Sequence, residues 1–578
     1  MLNKGTPMPI RTTAAAFACG LAVSFGAAPV SADGNAGSYL AARIAAVDND
    51  YRAAADYFTR ALVRDPSNPR LLDGAVSSLV NAGDLDRAVP IATRIIQNTA
   101  SDQFANLVLI ARDARNGDWE KLLENLDAGQ SVGPLFDGLV RAWAQVGAGR
   151  MNDALAAFDE VAETPGVGAF GTYHKALALA SVGDFEGATE LLSGEEGPQL
   201  RLTRRGAIAY AEMLSQIDRS AEAVEMLDTT FGVNPDAALS ELRRQLAAGA
   251  PVPYSGITTA RQGVSEAAFG IAGVLNGEAS DGYTLVYVRI AEYLDPENVD
   301  ALLLAASLLD NLGQHDLATA AYAGVPADHA LFHVAEMGRA AAMRSAGDAE
   351  GGIAVLRDLA ESHPGEMTVH VALGDALRRE ERFAEATPAY DRAVALFSDD
   401  AEAQWLVYFS RGIAHEREDR WPEAEADFRK ALELRPDQPQ VLNYLGYSLV
   451  EMQTNLDEAL DMIERAVAGQ PDSGYIVDSL GWVFYRLGRY DEALVQMERA
   501  VELLPVDPVV NDHLGDVYWA VGRKREAEFQ WHRALSFIGL GQSNDAEPDR
   551  IRRKLEIGLD AVLEEEGAPP LRVADDAR

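Results

Sequence analysis

Nine His, one Cys and 89 Asp plus Glu are the side chains with which this chain of 578 residues could bind metal or move protons. Their spacing builds no reactive constellation. The closest His pair is His329 and His333, four residues apart, an interval that puts two metal ligands on one helix face. The pair straddles a junction where the chain should turn, and no third ligand follows. Cys19 stands alone, which excludes a disulfide framework and Cys-based zinc or redox motifs. There is no phosphate loop of the form GxxxxGK followed by Ser or Thr, no GxSxG nucleophile elbow and no HExxH zinc motif. The acids recur at helical intervals, which marks solvated faces rather than acid–base dyads. The expectation is therefore no catalytic residue, no metal, no cofactor and no enzymatic activity.

The charge balance narrows the partners. Fifty basic residues oppose 89 acidic ones, a net charge of −39. Such a field repels phosphate backbones, so no nucleic-acid partner is expected. Hydrophobic residues make up 48% and charged residues 24%, an ordinary globular composition.

From Met8, "MPIRTTAAAFACGLAVSFGAAPVSADG" has a basic residue, Arg11, then an apolar run from Ala14 to Val30. It ends in small residues at Val30 to Ala32. This is the layout of a secretory signal peptide, residues 1–32, with cleavage after Ala32 and a first mature residue Asp33. "AFA" before Cys19 is a poor lipobox, and the apolar run continues past it. No later run is long enough to span a membrane, so none is expected in the mature chain. The expected location is periplasmic, with peripheral association with the envelope as a further option.

The elements that must position any site are repeats. In "LGWVFYRLGRYDEALVQMERAVELLP", Gly481, Ala493, Ala500 and Pro505 stand at fixed offsets. The scheme returns as Gly515, Ala527 and Ala534, and earlier as Gly446, Ala459, Ala466 and Pro471. Gly412, Ala424, Ala431 and Pro436 repeat it again, as do Gly374, Ala386 and Ala393. Each unit holds two amphipathic stretches of helical period. Number a unit so that Gly481 is position 8. Small residues at positions 8 and 20 let two antiparallel helices approach closely.

This pattern resembles the tetratricopeptide repeat, a helix–turn–helix unit of about 34 residues. The resemblance implies an all-α fold, an α-solenoid wound as a right-handed superhelix of about fourteen repeats and closed by a C-terminal capping helix. The expected layout is an N-terminal arm of six degenerate repeats at 33–248 and a Pro/Gly-rich connection at 249–264. An arm of eight repeats follows at 265–541, starting with 265–298, and four residues are inserted at Ala401 to Gln404. A capping helix is expected at 542–567 and a disordered tail at 568–578. In the cap, Ile551, Leu555, Leu559 and Val562 share one helical face, with Arg552, Arg553 and Lys554 outward.

Five of the seven Trp fall in 405–541: Trp405, Trp421, Trp482, Trp519 and Trp531. Trp421 and Trp531 occupy core positions. In arrays of this family the first helices line the concave groove through positions 2, 5, 9 and 12. Here those positions bring Asn443 and Tyr447, then Tyr475, Asp478, Trp482 and Tyr485, then Asp512, Asp516 and Trp519. Flat amphipathic rings with hydrogen-bonding side chains suit a peptide or a glycan, and packing against the cap or a neighbouring repeat is the plainer use of the same residues. Acids stand where the carboxylate-clamp branch of the family has Lys, so an acidic chain end is not the expected ligand. The resemblance implies protein–protein binding. The expected function is an exported, non-enzymatic scaffold of a bacterial envelope holding a peptide or protein segment in this groove. The alternative is a carbohydrate-binding helper in envelope polysaccharide export or processing.

Overall fold

The computed structural model describes residues 34–99, 102–193, 203–232, 237–397, 402–538, 546–568 and 570–571. The expected leader at 1–32, with Cys19, lies outside them, as do residues 569 and 572–578 of the expected tail. Among the described residues there are 31 α-helices and no strand, an all-α solenoid of stacked helix pairs. Two compact units divide the chain, 1–317 and 318–578.

Unit 1 opens with six helical pairs. These are α1 (Gly34–Val47) with α2 (Tyr51–Leu62), α3 (Pro69–Asn81) with α4 (Leu85–Asn98), and α5 (Gln103–Asn116) with α6 (Trp119–Asp127). Then come α7 (Pro134–Gly147) with α8 (Met151–Ala162), α9 (Gly168–Ser181) with α10 (Phe185–Ser193), and α11 (Arg204–Gln216) with α12 (Ser220–Phe231). A single helix α13 (Ala237–Ala247) precedes α14 (Ala260–Leu275), α15 (Asp281–Leu294) and α16 (Val299–Asn311). The division between the units falls inside α17 (His315–Tyr322).

Unit 2 pairs α18 (Phe332–Ser345) with α19 (Ala349–Ser362), α20 (Met367–Arg379) with α21 (Phe383–Ala395), and α22 (Trp405–Arg417) with α23 (Trp421–Leu434). It continues with α24 (Pro439–Glu451) and α25 (Leu456–Gly469), α26 (Gly474–Arg486) and α27 (Tyr490–Leu503), and α28 (Pro508–Ala520) and α29 (Lys524–Phe537). Two short helices, α30 (Pro548–Ile557) and α31 (Leu559–Glu565), end it. The inserted residues before Trp405 form a 3₁₀ turn, Glu402–Gln404.

The local chemistry sets these boundaries. Asp507 accepts from the backbone N–H groups of Val509 and Val510, and Pro508 takes the first helical position of α28, where no N–H is needed. At the turn within a pair, Gly488 and Gly522 adopt φ of 76° and 81°, which closes the first helix without a Cβ clash.

Within a pair, one contact recurs. The position-8 Gly of the first helix meets the position-24 side chain of the second. A Cβ on Gly412 would lie 2.6 Å from Phe428, on Gly374 2.6 Å from Tyr390, and on Gly515 2.4 Å from Trp531. Phe428, Tyr390 and Trp531 are fully buried. Each large ring fills the space that the missing side chain leaves.

The connection expected at 249–264 is strapped down. The Val252 N–H donates to Ser215 Oγ at 3.0 Å, and Ser255 donates to Glu212 through N–H and hydroxyl at 2.8 and 2.7 Å. Val252 and Ile257 are buried. The strap runs along α11 and delivers α14 to the first helices of unit 1. The repeat at 265–298, expected to open the second arm, therefore lies in unit 1, and the division falls between Leu317 and Ala318.

The cap departs from expectation in two ways. Gly558, at φ 82°, breaks it into α30 and α31, because a left-handed residue cannot continue an α-helix. Lys554 points inward and is only 1% exposed. It shares the face of Ile551 by its spacing of three, and acids wait opposite it.

The paired contacts predict unequal costs for one substitution. Gly515→Ala should destabilise its repeat by about 1–3 kcal/mol, since the rigid Trp531 ring cannot yield. Gly481→Ala should cost less, because its neighbour is Met497 Cγ at 2.8 Å, on a flexible chain. Hydrogen exchange across residues 474–537 checks the order; equal protection in the two variants would contradict it.

Candidate functional site

The candidate wall in unit 2 is built from α24, α26 and α28, one first helix from each of three consecutive pairs. Two of its residues, Asn443 and Tyr447, are half-buried, and among the described residues the buried Asn443 Oδ1 meets no hydrogen-bond partner. Tyr475 is 42% exposed and its hydroxyl donates to Asp507 at 3.3 Å.

The remaining residues are used between neighbouring helices. Trp482 is 8% exposed. Its ring stacks on Tyr485 at 4.8 Å and on His513 at 4.1 Å, and its Nε1 donates to Glu451 at 2.5 Å. Tyr485 and Asp478 are buried, and Asp478 lies 2.9 Å from His513 Nδ1. Trp519 is half-buried. Its Nε1 donates to Asp560 at 2.9 Å, and Lys524 Nζ lies 4.3 Å above its ring.

Asp512 and Asp516 form a cradle for one cation. Lys554 Nζ lies 2.9 Å from both oxygens of Asp512, and 2.7 and 2.8 Å from those of Asp516. Trp531 Nε1 adds a donor to Asp516 at 2.9 Å, and Arg550 approaches it at 3.7 Å. Burial raises the pKa of Asp512, Lys554 opposes that rise, and the neighbouring Asp516 charge adds to it; the net shift is upward. In this cradle α30 takes the place that the first helix of a further repeat would take.

Thus Trp482, Tyr485, Asp478, Asp512, Asp516 and Trp519 hold repeat junctions together, while Asn443, Tyr447 and Tyr475 leave surface on the wall. Of the two Trp assigned to the core, Trp531 is fully buried, whereas Trp421 is half-buried with Nε1 donating to Glu425 at 3.1 Å. Sequence reasoning passed over His513 and placed Lys554 outward. The signal for Lys554 was its place on the apolar face of α30. His513 follows Asp512 directly and offered no spacing of its own.

Unit 1 uses the same positions on itself. Phe136 packs edge-on to Tyr287 at 6.2 Å, and Phe104 to Tyr283 at 6.0 Å. Gln103 Nε2 donates to the Tyr283 hydroxyl at 3.0 Å. Gly263 lies so close to Trp143 that a Cβ would come within 2.1 Å of the ring. Arg289 Nε donates to the Asn81 carbonyl at 3.3 Å, and the Tyr293 hydroxyl to Asp86 at 2.7 Å. The α14–α15 pair thus covers the first helices α3, α5, α7 and α9. Trp143 Nε1 donates to His174 Nδ1 at 3.0 Å, and burial pushes the His174 pKa down to about 3, so the ring is a neutral acceptor. Beside it, Phe170, Phe269, Gly270 and Val274 line a cavity of about 470 Å³. There Glu266 accepts from the Tyr173 hydroxyl at 3.0 Å and from Arg205 at 3.2 Å.

His333 lies beside His363, ring centres 6.2 Å apart. Among the described residues no group of three or more His, Cys, Asp or Glu could hold a metal ion, and no helix is long and apolar enough to cross a membrane.

The family model of the tetratricopeptide repeat matches residues 39–103, 338–401, 371–439, 409–474 and 452–508. This chain is a multi-repeat tetratricopeptide repeat protein. It is similar to the TPR repeat-containing protein PA4667 of Pseudomonas aeruginosa, with 40% identity over 63 residues; the match spans 11% of this chain and 11% of that relative. Among solved structures it is similar to the Cut9 and Hcn1 hetero-tetramer of APC/C, with 14% identity, a TM-score of 0.37, and coverage of 90% of this chain and 96% of that one. A tetratricopeptide repeat protein from Parabacteroides merdae shows 15% identity and a TM-score of 0.36, covering 45% of this chain and 97% of that one. YrrB, described as having an unusual peptide-binding site, shows 21% identity and a TM-score of 0.26, covering 32% of this chain and 91% of its own. These likenesses do not bear on what this tetratricopeptide repeat protein binds.

Two predictions come from the junction α26–α28–α30. Lys554→Met would leave two facing carboxylates buried without their cation, and losing one partner of a buried pair costs about 3–5 kcal/mol. Hydrogen exchange should show early opening of 508–537; unchanged protection would contradict the cradle. The second concerns His513. Burial by itself lowers its pKa, but Asp478, Asp512 and Asp516 outweigh that, so the pKa lies above the usual 6.5. A raised folded-state pKa means the stabilisation is complete below pH 6.5 and is lost as pH rises through the folded value. Urea unfolding of unit 2 by Trp fluorescence should show lower stability at about pH 9 than at about pH 6, and His513→Gln should flatten that difference.

Proposed function

We infer that this chain is a scaffold for protein–protein interaction, a reading its tetratricopeptide repeats support. We propose that it is exported, acts without catalysis in a bacterial envelope, and holds a peptide segment of a partner on the inner wall of unit 2. The segment docks at Asn443, Tyr447 and Tyr475 and carries Lys or Arg. One observation carries this reading. The wall already accepts a cationic side chain of the chain itself, Lys554, between Asp512 and Asp516. The net charge of −39 favours such a partner. The leader-like residues 1–32 support export, and Asn443 Oδ1 is a buried acceptor without a donor among the described residues. The corresponding wall of unit 1 is covered by α14 and α15.

Photo-crosslinking from position 475 in cells, with mass spectrometry of the product, tests the reading. Tyr447→Ala with Tyr475→Ala should weaken capture of that product at least tenfold, about 1.4 kcal/mol or more, and leave Tm within a few degrees. Trp482→Ala should instead lower stability, since its ring fills a junction. A glycan as the crosslinked product, or a double variant that binds as before, would contradict the peptide reading. An intact mass retaining residues 1–32 would contradict export.

A further inference from the structure

We propose that α1 is a self-association face that joins two copies of this chain, α1 against α1, in parallel. Leu40, Ile44 and Val47 are 62%, 54% and 74% exposed, an unusual set of large apolar side chains on one helix of a strongly acidic chain. Their spacing is four then three, the alternation of d, a and d positions in a coiled-coil seam, and Gly37 precedes them at the foregoing a position. The opposite side of the helix is already committed. Ala42 and Ala45, at f and b, are buried against α2 at 0% and 8% exposure. The helix thus has one face packed in its own repeat and a second face patterned for another helix.

The rim selects the occupant and its direction. Arg43 falls at g, and Asp48, just past the end of α1 with its N–H still on the Ile44 carbonyl at 2.9 Å, continues to the next e, five residues on. In a parallel pair each g residue faces the following e residue of the partner, so Arg43 of one copy meets Asp48 of the other, twice over. In an antiparallel pair Arg43 would face Arg43 and Asp48 would face Asp48. Among the described residues neither side chain has an ion-pair partner within its own chain. A parallel pair is related by a two-fold axis along α1, so one surface serves both copies. Because α1 is already folded on α2, pairing does not bear the cost of nucleating a helix. The seam is short, so the association is weak, with dimer appearing on the order of 100 µM or below.

Sedimentation velocity over a concentration series, on the full chain and on the chain starting at Asp33, tests this. The expected result is a concentration-dependent dimer in the Asp33 form. Leu40→Glu with Ile44→Glu should be monomeric with an unchanged circular dichroism spectrum. Arg43→Glu should weaken the dimer about tenfold, and adding Asp48→Arg should restore it. Monomer in both forms would overturn the proposal, as would a dimer that survives the Leu40 and Ile44 changes. A charge swap without rescue would overturn the parallel pairing.

Discussion

The closeness of two helices at one missing side chain governs this molecule. Where Gly412, Gly374 and Gly515 stand, the ring of Phe428, Tyr390 or Trp531 occupies the volume a Cβ would need. Packing at that density lets each pair behave as one rigid layer. A layer so built cannot bury its outer faces alone, so it must stack, and the stack places one first helix beside the next. The inner wall, the junction residues and the cap all inherit their positions from that contact.

The same contact explains what could be read from the sequence. Position 8 is Gly or Ala in most repeats, though Val76 and Ile110 stand there in α3 and α5, so it leaves a periodic mark, and the mark carried the helix pairs and their register. The path of the chain after α13 left no such mark. The strap that runs along α11 depends on Glu212 and Ser215 meeting Ser255 and Val252, contacts between residues about forty apart that no local period encodes. The Pro and Gly of 249–264 look like a loose connection by composition, yet hydrogen bonds to α11 and the burial of Val252 and Ile257 fix it.

The candidate site was legible to a lesser degree, for a geometric reason. Positions 5 and 9 of a first helix face both the groove and the next first helix. A ring or an acid there can serve a ligand or a junction, and the pattern along one helix does not say which. Trp482 shows the second use, sandwiched between Tyr485 and His513 with its nitrogen on Glu451. Tyr475, at position 2, touches the start of the next first helix through its hydroxyl on Asp507 and still keeps 42% of its surface. Unit 1 carries this ambiguity to its limit: Phe104, Phe136 and Trp143 sit where ligand-lining residues would be, and all of them pack on α14 and α15.

Charge then decides where the stack ends. In a chain with 89 acids, successive first helices would repel if each brought its acids to the junction unmatched. Between α26 and α28, Asp478 is met by His513. Between α28 and α30, Asp512 and Asp516 are met by Lys554, whose side chain is fully buried. A buried ion pair adds little net stability over an apolar contact, but it rejects any neighbour that lacks the matching charge. A second copy of an ordinary first helix, bringing Asp or Asn at the same height, would leave both acids unpaired. The Asp512 and Asp516 pair is therefore selective for α30, and the break at Gly558 turns α31 away so that the polar ends Glu565 and Glu566 meet Arg553 and Arg550. The cap closes unit 2 because Lys554, with Arg550 beside it, fits the last two inward acids.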